Sequence, residues 1–374
     1  MNLIFTCGGT AGHINPAIAV ANTMRERDPD CKILFIGAVG HMEEKLVPQA
    51  GYELRTLPGS GLSRKKSLAG LKQNIHAVKC VLDAEKQCRK IFQEFRPDAV
   101  IGTGGYASFP ALHAAQKMGI PTCVHESNAV PGVTTKLAAK KATRVLVAFE
   151  ESVQYYHHPE KVEVVGMPVK KEFIFLKKED ARKELGLGDK PVVVSAFGSL
   201  GAKVMNETMA EVFRLEKEAG YPFHHIHATG SFGWEWMPKL VADKGVTLEG
   251  NENIDMREYI YNMPTVMAAA DVIISRAGAS TCNEIGASGT PDILIPSPNV
   301  TNNHQEKNAH VLSDRDAAVL VLEKDCSPEK IFEQINSLLS DETRRKEMSR
   351  KLHELVRLDS TERIGDIVEE LVKA

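Results

Sequence analysis

Short apolar runs alternate with helical stretches along almost the whole chain, and this alternation limits the fold more than any other feature. "NLIFTCG" gives way to a helix from about Pro16 to Arg27, then to "KILFIGA", and further on to "DAVIGTG" and "PTCVHES". Apolar runs separated by helices make a parallel sheet covered on both faces. After residue 190 the pattern starts again. "PVVVSAFGSLGA" runs into a glycine-rich turn, "NETMAEVFRLEKEAG" is helical, and "DVIISRAG" and "DILIPSP" are further strands. At 374 residues the chain exceeds the length at which a single core stops growing. The expectation is α/β, two doubly wound domains in tandem over residues 1–165 and 166–345, then one or two amphipathic helices over 346–374. The join falls in "VEVVGMPVKKEF", where Gly166 and Pro168 interrupt the pattern.

Composition excludes several classes of partner. A formal net charge of −3 gives no global reason to expect nucleic acid. Cys7, Cys31, Cys80, Cys88, Cys123, Cys282 and Cys326 form no C-x-x-C pair, which points to reduced thiols in a cytosol rather than a disulfide or metal scaffold. No segment reaches the roughly 18 apolar residues of a membrane span, and "MNLIFTCGG" lacks a charged leader region. The protein is expected to be soluble, or attached to a membrane from one side.

The first strand ends in "CGGTAGHINP". A parallel strand that ends in glycines and opens into a helix gathers free N–H groups and a positive helix end at one spot, where anions bind. Gly8, Gly9 and Gly12 permit the turn, and Pro16 suits the first turn of a helix. A dinucleotide site needs G-x-G-x-x-G and an acid after the second strand. Here the turn reads G-G-T-A-G-H and "KILFIGAVGHME" ends its strand without that acid, so a nicotinamide or flavin oxidoreductase is disfavoured. His13 falls where the turn becomes a helix, at the carboxyl edge where open α/β sheets bind ligands. It can serve as a base toward a substrate hydroxyl or simply fill the turn, and position alone leaves both open.

The second informative region is "SRAGASTCNEIGASGTPDILIPSPNVTNNHQEKNA". Gly278 and Ala279 give a small-residue turn, and Ser280-Thr281 precede a helix bearing Glu284. Hydroxyls at a helix start can bind phosphate, and a carboxylate in the first turn can accept paired ribose hydroxyls. The same residues can instead cap the helix and complement its dipole. Asn302, Asn303, His304 and Gln305 form a polar cluster after a proline-rich turn.

"GGTAGHINPAIAVA", "GTGGYASFPALHAA", "HESNAVPG", "GSLGA", the turn from Ser280 to Glu284 and "PSPNVTNNHQEKNA" resemble, in order and spacing, the motifs of the MurG family. The resemblance covers roughly residues 2–365. It implies a GT-B fold, two Rossmann-like domains with the active site in the cleft, and tail helices that pack back on the N-terminal domain. The family is a set of inverting β-1,4-N-acetylglucosaminyltransferases that move GlcNAc from UDP-GlcNAc to the C4 hydroxyl of the MurNAc of lipid I. The product is lipid II, a precursor of peptidoglycan and so of cell shape and division. Implied catalytic residues are His13 and Glu126. Implied donor contacts are Thr10, Ala11 and Gly12 beside the sugar diphosphate, Asn128, Lys170, Ser199, Ile260 at the uracil, Ala279 to Glu284 (with Cys282 and Asn283 between them), and Gln305 at the GlcNAc hydroxyls. Tyr106 and His125 would face the acceptor. Ala11 stands where the family usually has glycine, Phe197 where its turn often reads G-G-S, and Lys170 where it has arginine. A lysine keeps that charge without the bidentate fork. No cofactor or metal is implied, since UDP-GlcNAc is a substrate. The implied setting is the cytoplasmic face of the bacterial cell membrane, with a peripheral attachment to its anionic surface. Rival readings are another GT-B UDP-sugar transferase, a UDP-GlcNAc 2-epimerase and a non-catalytic sugar-nucleotide-binding subunit.

Three other signals bear on partners. "DPD" at 28–30 and "DRD" at 314–316 match D-x-D but fall in turns away from the ligand edge. "HHIH" at 224–227 looks like metal ligands but has no nearby Cys or carboxylate in sequence. Residues 61–90 carry eight Lys or Arg against two acids, with Leu68, Leu71, Ile75, Val78 and Leu82 at helical spacing. That segment, led by Arg64, Lys65 and Lys66, is the expected membrane-docking face, unless its stripe packs on the sheet.

Overall fold

The structure is a computed structural model and describes residues 1–58, 68–105 and 107–373, side chains at 68–78 and 301 excepted. The chain forms two compact units, Met1–Val169 with Arg357–Ala374, and Lys170–Val356. Of the two tail helices, Glu342–Leu355 lies in the second unit and Ser360–Lys373 in the first.

In the first unit the strands are β1 (Asn2–Thr6), β2 (Lys32–Ala38), β3 (Glu53–Leu57), β4 (Ala99–Gly102), β5 (Thr122–Glu126), β6 (Arg144–Val147) and β7 (Val162–Val164). They pair in parallel in the order β3-β2-β1-β4-β5-β6-β7. The order reverses beside β1, so a ligand crevice is expected at the carboxyl ends of β1 and β4. Successive residues of β1 serve opposite faces of the sheet. Leu3 and Phe5 pack with Ile14, Val20 and Met24 of the Ala11–Arg27 helix and with Ile364, Ile367 and Leu371, while Ile4 packs with Phe92, Ala111 and Leu112.

In the second unit β8 (Val192–Ala196), β9 (His224–Ala228), β10 (Ile254–Arg257), β11 (Val272–Ser275), β12 (Asp292–Leu294) and β13 (Val319–Leu320) pair in parallel in the order β10-β9-β8-β11-β12-β13. Val193, Met205, Met209 and Phe213 lie at the centre of its core. Its switch point lies between β8 and β11. The two parallel sheets with flanking helices form a GT-B pair of Rossmann-like domains.

The "HHIH" run is part of β9. His225 and His227 are fully buried, and Ser195 Oγ lies 2.7 Å from both His225 Nε2 and His227 Nδ1. Glu216 closes the line at 2.6 Å from His225 Nδ1. This run is therefore a core hydrogen-bond chain. Among the described residues no cluster of three His, Cys, Asp or Glu is placed to hold a metal ion. No described helix is long and apolar enough to cross a membrane.

Candidate active site

In the first unit the site is built where β1, β4 and β5 end. The helix after β1 begins at Ala11, earlier than the expected Pro16, because Thr10 is the last extended residue and its carbonyl already accepts from the His13 and Ile14 amides. His13 therefore sits in the first turn, and Pro16 lies inside the helix. His13 Nδ1 lies 3.0 Å from the Gly8 carbonyl oxygen and 3.4 Å from Thr10 Oγ1. A carbonyl can only accept, so Nδ1 carries the ring proton and Nε2 is left able to take one. The Thr103 hydroxyl donates to the His13 carbonyl at 2.6 Å, and the Ser108 hydroxyl reaches the Thr6 and Gly104 carbonyls. Glycines at 104 and 105 are required by this approach. Both have positive φ, and a Cβ on Gly104 would fall 2.8 Å from His13 Cδ2, one on Gly105 2.2 Å from the Gly8 oxygen. Thr10 is exposed, with Ala11 and Gly12 half-buried beside it. Tyr106 lies outside the described residues.

β5 delivers His125 and Glu126, both buried. His125 Nε2 donates to the Gly166 carbonyl at 2.9 Å, and burial holds its pKa below the ordinary imidazole value despite that bond. Glu126 Oε1 accepts from the Asn128 backbone N–H and Nδ2, and Oε2 accepts from the Gly132 N–H, all at 3.0 Å. Both oxygens are engaged, so Glu126 shapes the loop from Asn128 to Gly132.

In the second unit the loops after β8, β9 and β10 are stitched together. The Gly230 N–H donates to the Glu258 carbonyl, the Ser231 N–H to that of Ser199, and the Phe232 N–H to that of Leu200. Gly201 and Gly230 touch so closely that a Cβ on either would lie 2.0 Å from the other loop. The helix expected after Ser280-Thr281 in fact starts at Ala279. Gly278 is the extended residue before it and no side chain caps it. Ser280 and Thr281 therefore lie within its first turn. Cys282 and Asn283 are buried, the latter donating to the Ala279 carbonyl at 2.9 Å. Glu284 is half-buried, and burial pushes its pKa up to about 7, with the Lys170 charge pulling the other way. Tyr259 lies within electrostatic reach of Glu284 and stacks edge-on to Tyr261 at 4.9 Å. Between them Ile260 is 2% exposed, so its main chain is what it can offer a ligand. Lys170 is exposed and Ser199 half-buried. Asn302 and Asn303 both adopt left-handed backbone angles, and His304 starts the His304–Ser313 helix. Gln305 Oε1 accepts from the Ser297 N–H at 2.8 Å, bracing the proline-rich turn.

Each unit thus presents a glycine turn and a helix start at its carboxyl edge, the arrangement of a nucleotide-sugar transferase with a GT-B fold. Residues 3–147 match the glycosyltransferase family 28 N-terminal domain and residues 192–369 the family 28 C-terminal domain. A relative from Acetivibrio thermocellus, a UDP-N-acetylglucosamine–N-acetylmuramyl-(pentapeptide) pyrophosphoryl-undecaprenol N-acetylglucosamine transferase, is 40% identical over 374 residues. The match covers 100% of this chain and 99% of that protein. The crystal structure of Acinetobacter baumannii MurG aligns over 99% of both chains with a TM-score of 0.75 and 27% identity. A UDP-GlcNAc 2-epimerase from Neisseria meningitidis aligns over 100% of both chains with a TM-score of 0.67 but 15% identity, which is a likeness of fold alone. The chain belongs to the MurG family of glycosyltransferases.

Proposed function

We propose that the chain moves GlcNAc from UDP-GlcNAc to the C4 hydroxyl of the MurNAc of lipid I with inversion, giving lipid II for peptidoglycan synthesis. The full-length match to a transferase of that name carries the reading. His13 is the base. Its Nε2 takes the hydroxyl proton as the oxygen attacks the anomeric carbon, and the electron pair of the breaking C–O bond leaves with UDP. Glu126, with both oxygens committed to its loop, is the weaker acid–base candidate.

Donor contacts follow from the second unit. The uncapped start of the Ala279–Ser288 helix, the Ser280 and Thr281 hydroxyls, the Ser199 turn and Lys170 receive the diphosphate, a use of a helix N-terminus that needs no metal. Glu284 accepts the ribose hydroxyls, the Ile260 main chain meets uracil, and Gln305 meets GlcNAc. Thr10 to Gly12 and Asn128 complete the donor side, and Tyr106 and His125 face the acceptor. Because lipid I is held in a membrane, the enzyme works as a peripheral protein on the cytoplasmic face, docked through the basic segment 61–90.

The test is incubation with UDP-GlcNAc and a short-chain lipid I analogue, with the GlcNAc–MurNAc product read by mass spectrometry. Formation of UDP-ManNAc from the donor alone, with no disaccharide, would replace this reading by the epimerase.

A further inference from the structure

We propose that Glu43 is a positioning residue for His13, acting through the one peptide group that joins Gly8 to Gly9. Glu43 opens the Glu43–Gln49 helix after β2 and is fully buried. Its Oε1 accepts the Gly9 N–H at 3.1 Å and the Ala38 N–H at 3.2 Å. The Gly9 N–H and the Gly8 carbonyl belong to the same planar, resonant unit. That carbonyl is the acceptor for His13 Nδ1 at 3.0 Å. Carboxylate, peptide and imidazole therefore form a single line of hydrogen bonds that ends at Nε2.

Hydrogen bonds in such a line polarise one another. A carboxylate on the N–H draws electron density toward the carbonyl oxygen, which becomes a better acceptor for Nδ1–H. Two consequences follow for the proposed base, on which this inference rests. The Nδ1–H tautomer is selected, so Nε2 faces the reaction without a proton. The imidazolium formed when Nε2 takes the acceptor proton is stabilised, as the buried aspartate does for histidine in a serine-protease triad. No proton moves along the line, and Glu43 undergoes no covalent change.

The surrounding backbone is shaped to admit this contact. Cβ atoms would fall 2.9 Å from Glu43 Cγ at Gly37 and 3.3 Å from Oε1 at Gly8, and Gly9 has a φ of 88°. The Cys7 amide bonds the Ile36 carbonyl, which keeps the end of β2 beside the turn, so one oxygen reaches amides of both segments.

Glu43→Gln keeps an acceptor oxygen and loses the charge; Glu43→Leu loses both. With the full-length enzyme, UDP-GlcNAc and a short-chain lipid I analogue, kcat is expected to fall about 10-fold in the first and about 100-fold in the second, the scale of residues that orient a reacting imidazole. Donor KM should stay within about twofold. Nitrogen-15 NMR of labelled histidine should show His13 as one Nδ1–H tautomer in the wild type and as a mixture in Glu43→Leu. His13→Ala should lose about 100-fold or more, and adding Glu43→Leu should cost nothing further. Wild-type turnover in His13→Ala would overturn the base reading itself. An inactive His13→Ala beside a folded Glu43→Leu with wild-type kcat and an unmixed tautomer would overturn the assignment of Glu43 alone. If Glu43→Leu does not fold, wild-type kcat in Glu43→Gln overturns it.

Discussion

Glu284 has the pKa best placed to be read by experiment, raised to about 7 by burial against the opposing pull of Lys170. In the proposed donor contact the ionised form accepts the ribose hydroxyls, so donor KM is expected to fall as pH rises through about 7 and to level off above it. Glu284→Gln should weaken the donor about 10-fold and flatten that profile, a flat wild-type profile being the result that counts against the contact. The stability effect has the opposite sense. The unfolded carboxyl ionises near pH 4.3 while the folded one still holds its proton, so its contribution falls between about pH 4 and pH 7. Asp292 follows the same sign: it is fully buried, neither oxygen has a partner among the described residues, and burial lifts its pKa well above the usual carboxylate range. Asp292→Ala is expected to stabilise the fold by about 1–2 kcal/mol at pH 7.5 and by less toward pH 4, measured as thermal melts across that range. A melting difference that does not change with pH would mean the carboxyl does not titrate differently on folding. At this scale the sequence was informative only in part. His13 could be singled out because a glycine turn announces itself in three residues. Glu43 could not, since its partners are backbone amides that carry no residue signature, and Asp292 at the head of "DILIPSP" reads as an ordinary strand start.

Strands β1, β2, β4, β5, β8, β11 and β12 were legible because they are mostly buried and appear as apolar runs, as "KILFIGA" does for β2, whereas the half-exposed edge strand β3, "ELRTL", carries no such run. Helix starts were less legible. Both helices that frame the candidate sites begin without a side-chain cap, after Thr10 and after Gly278, so Pro16 in the one and Ser280-Thr281 in the other pointed a few residues too late. The attachment of the last helix to the first unit was legible only through the family resemblance, because its partners lie hundreds of positions away. Arg27 closes the Ala11–Arg27 helix and pairs with Glu362 at 2.7 Å, Asp366 at 2.8 Å and Glu369 at 3.2 Å. These acids are partly exposed, so the three pairs together contribute about 1–2 kcal/mol. Ile367 is fully buried on the same helix, and its truncation to alanine costs about 2–5 kcal/mol. Hydrogen exchange over residues 360–373 should therefore quicken more in Ile367→Ala than in Arg27→Ala, and the Arg27 effect should fade at high salt. An Arg27→Ala effect as large as that of Ile367→Ala and indifferent to salt would reverse the order of the two contributions.

For the whole molecule, the proposed function requires a chain of net charge −3 to meet an acceptor held in an anionic membrane. The net field opposes approach, so under that proposal attachment is local. Residues 61–90 are the local exception, with eight cations against two acids. Arg64, Lys65 and Lys66 lie outside the described residues, as do the side chains of Leu68, Leu71, Ile75 and Val78. Where side chains of the Leu68–Phe95 helix are described, the face packed into the core is Ala84, Cys88 and Phe92. Leu82 is 61% exposed among exposed Lys79, Lys86, Arg89 and Lys90. At this position the stripe does not pack on the sheet, and an exposed apolar side chain one helical turn from Lys79 and Lys86 suits a lipid interface. Each cation near an anionic surface contributes about 1 kcal/mol, so replacing Arg64, Lys65 and Lys66 together by serine should lower partitioning roughly 100-fold. Sedimentation with phosphatidylglycerol vesicles is expected to show that loss at low salt and a smaller one at high salt, with activity on a water-soluble acceptor unchanged. Leu82→Ser should weaken vesicle binding at both salt concentrations, because burial of an apolar side chain is not screened. Binding that ignores both the triple substitution and the salt would place the docking face elsewhere on the molecule.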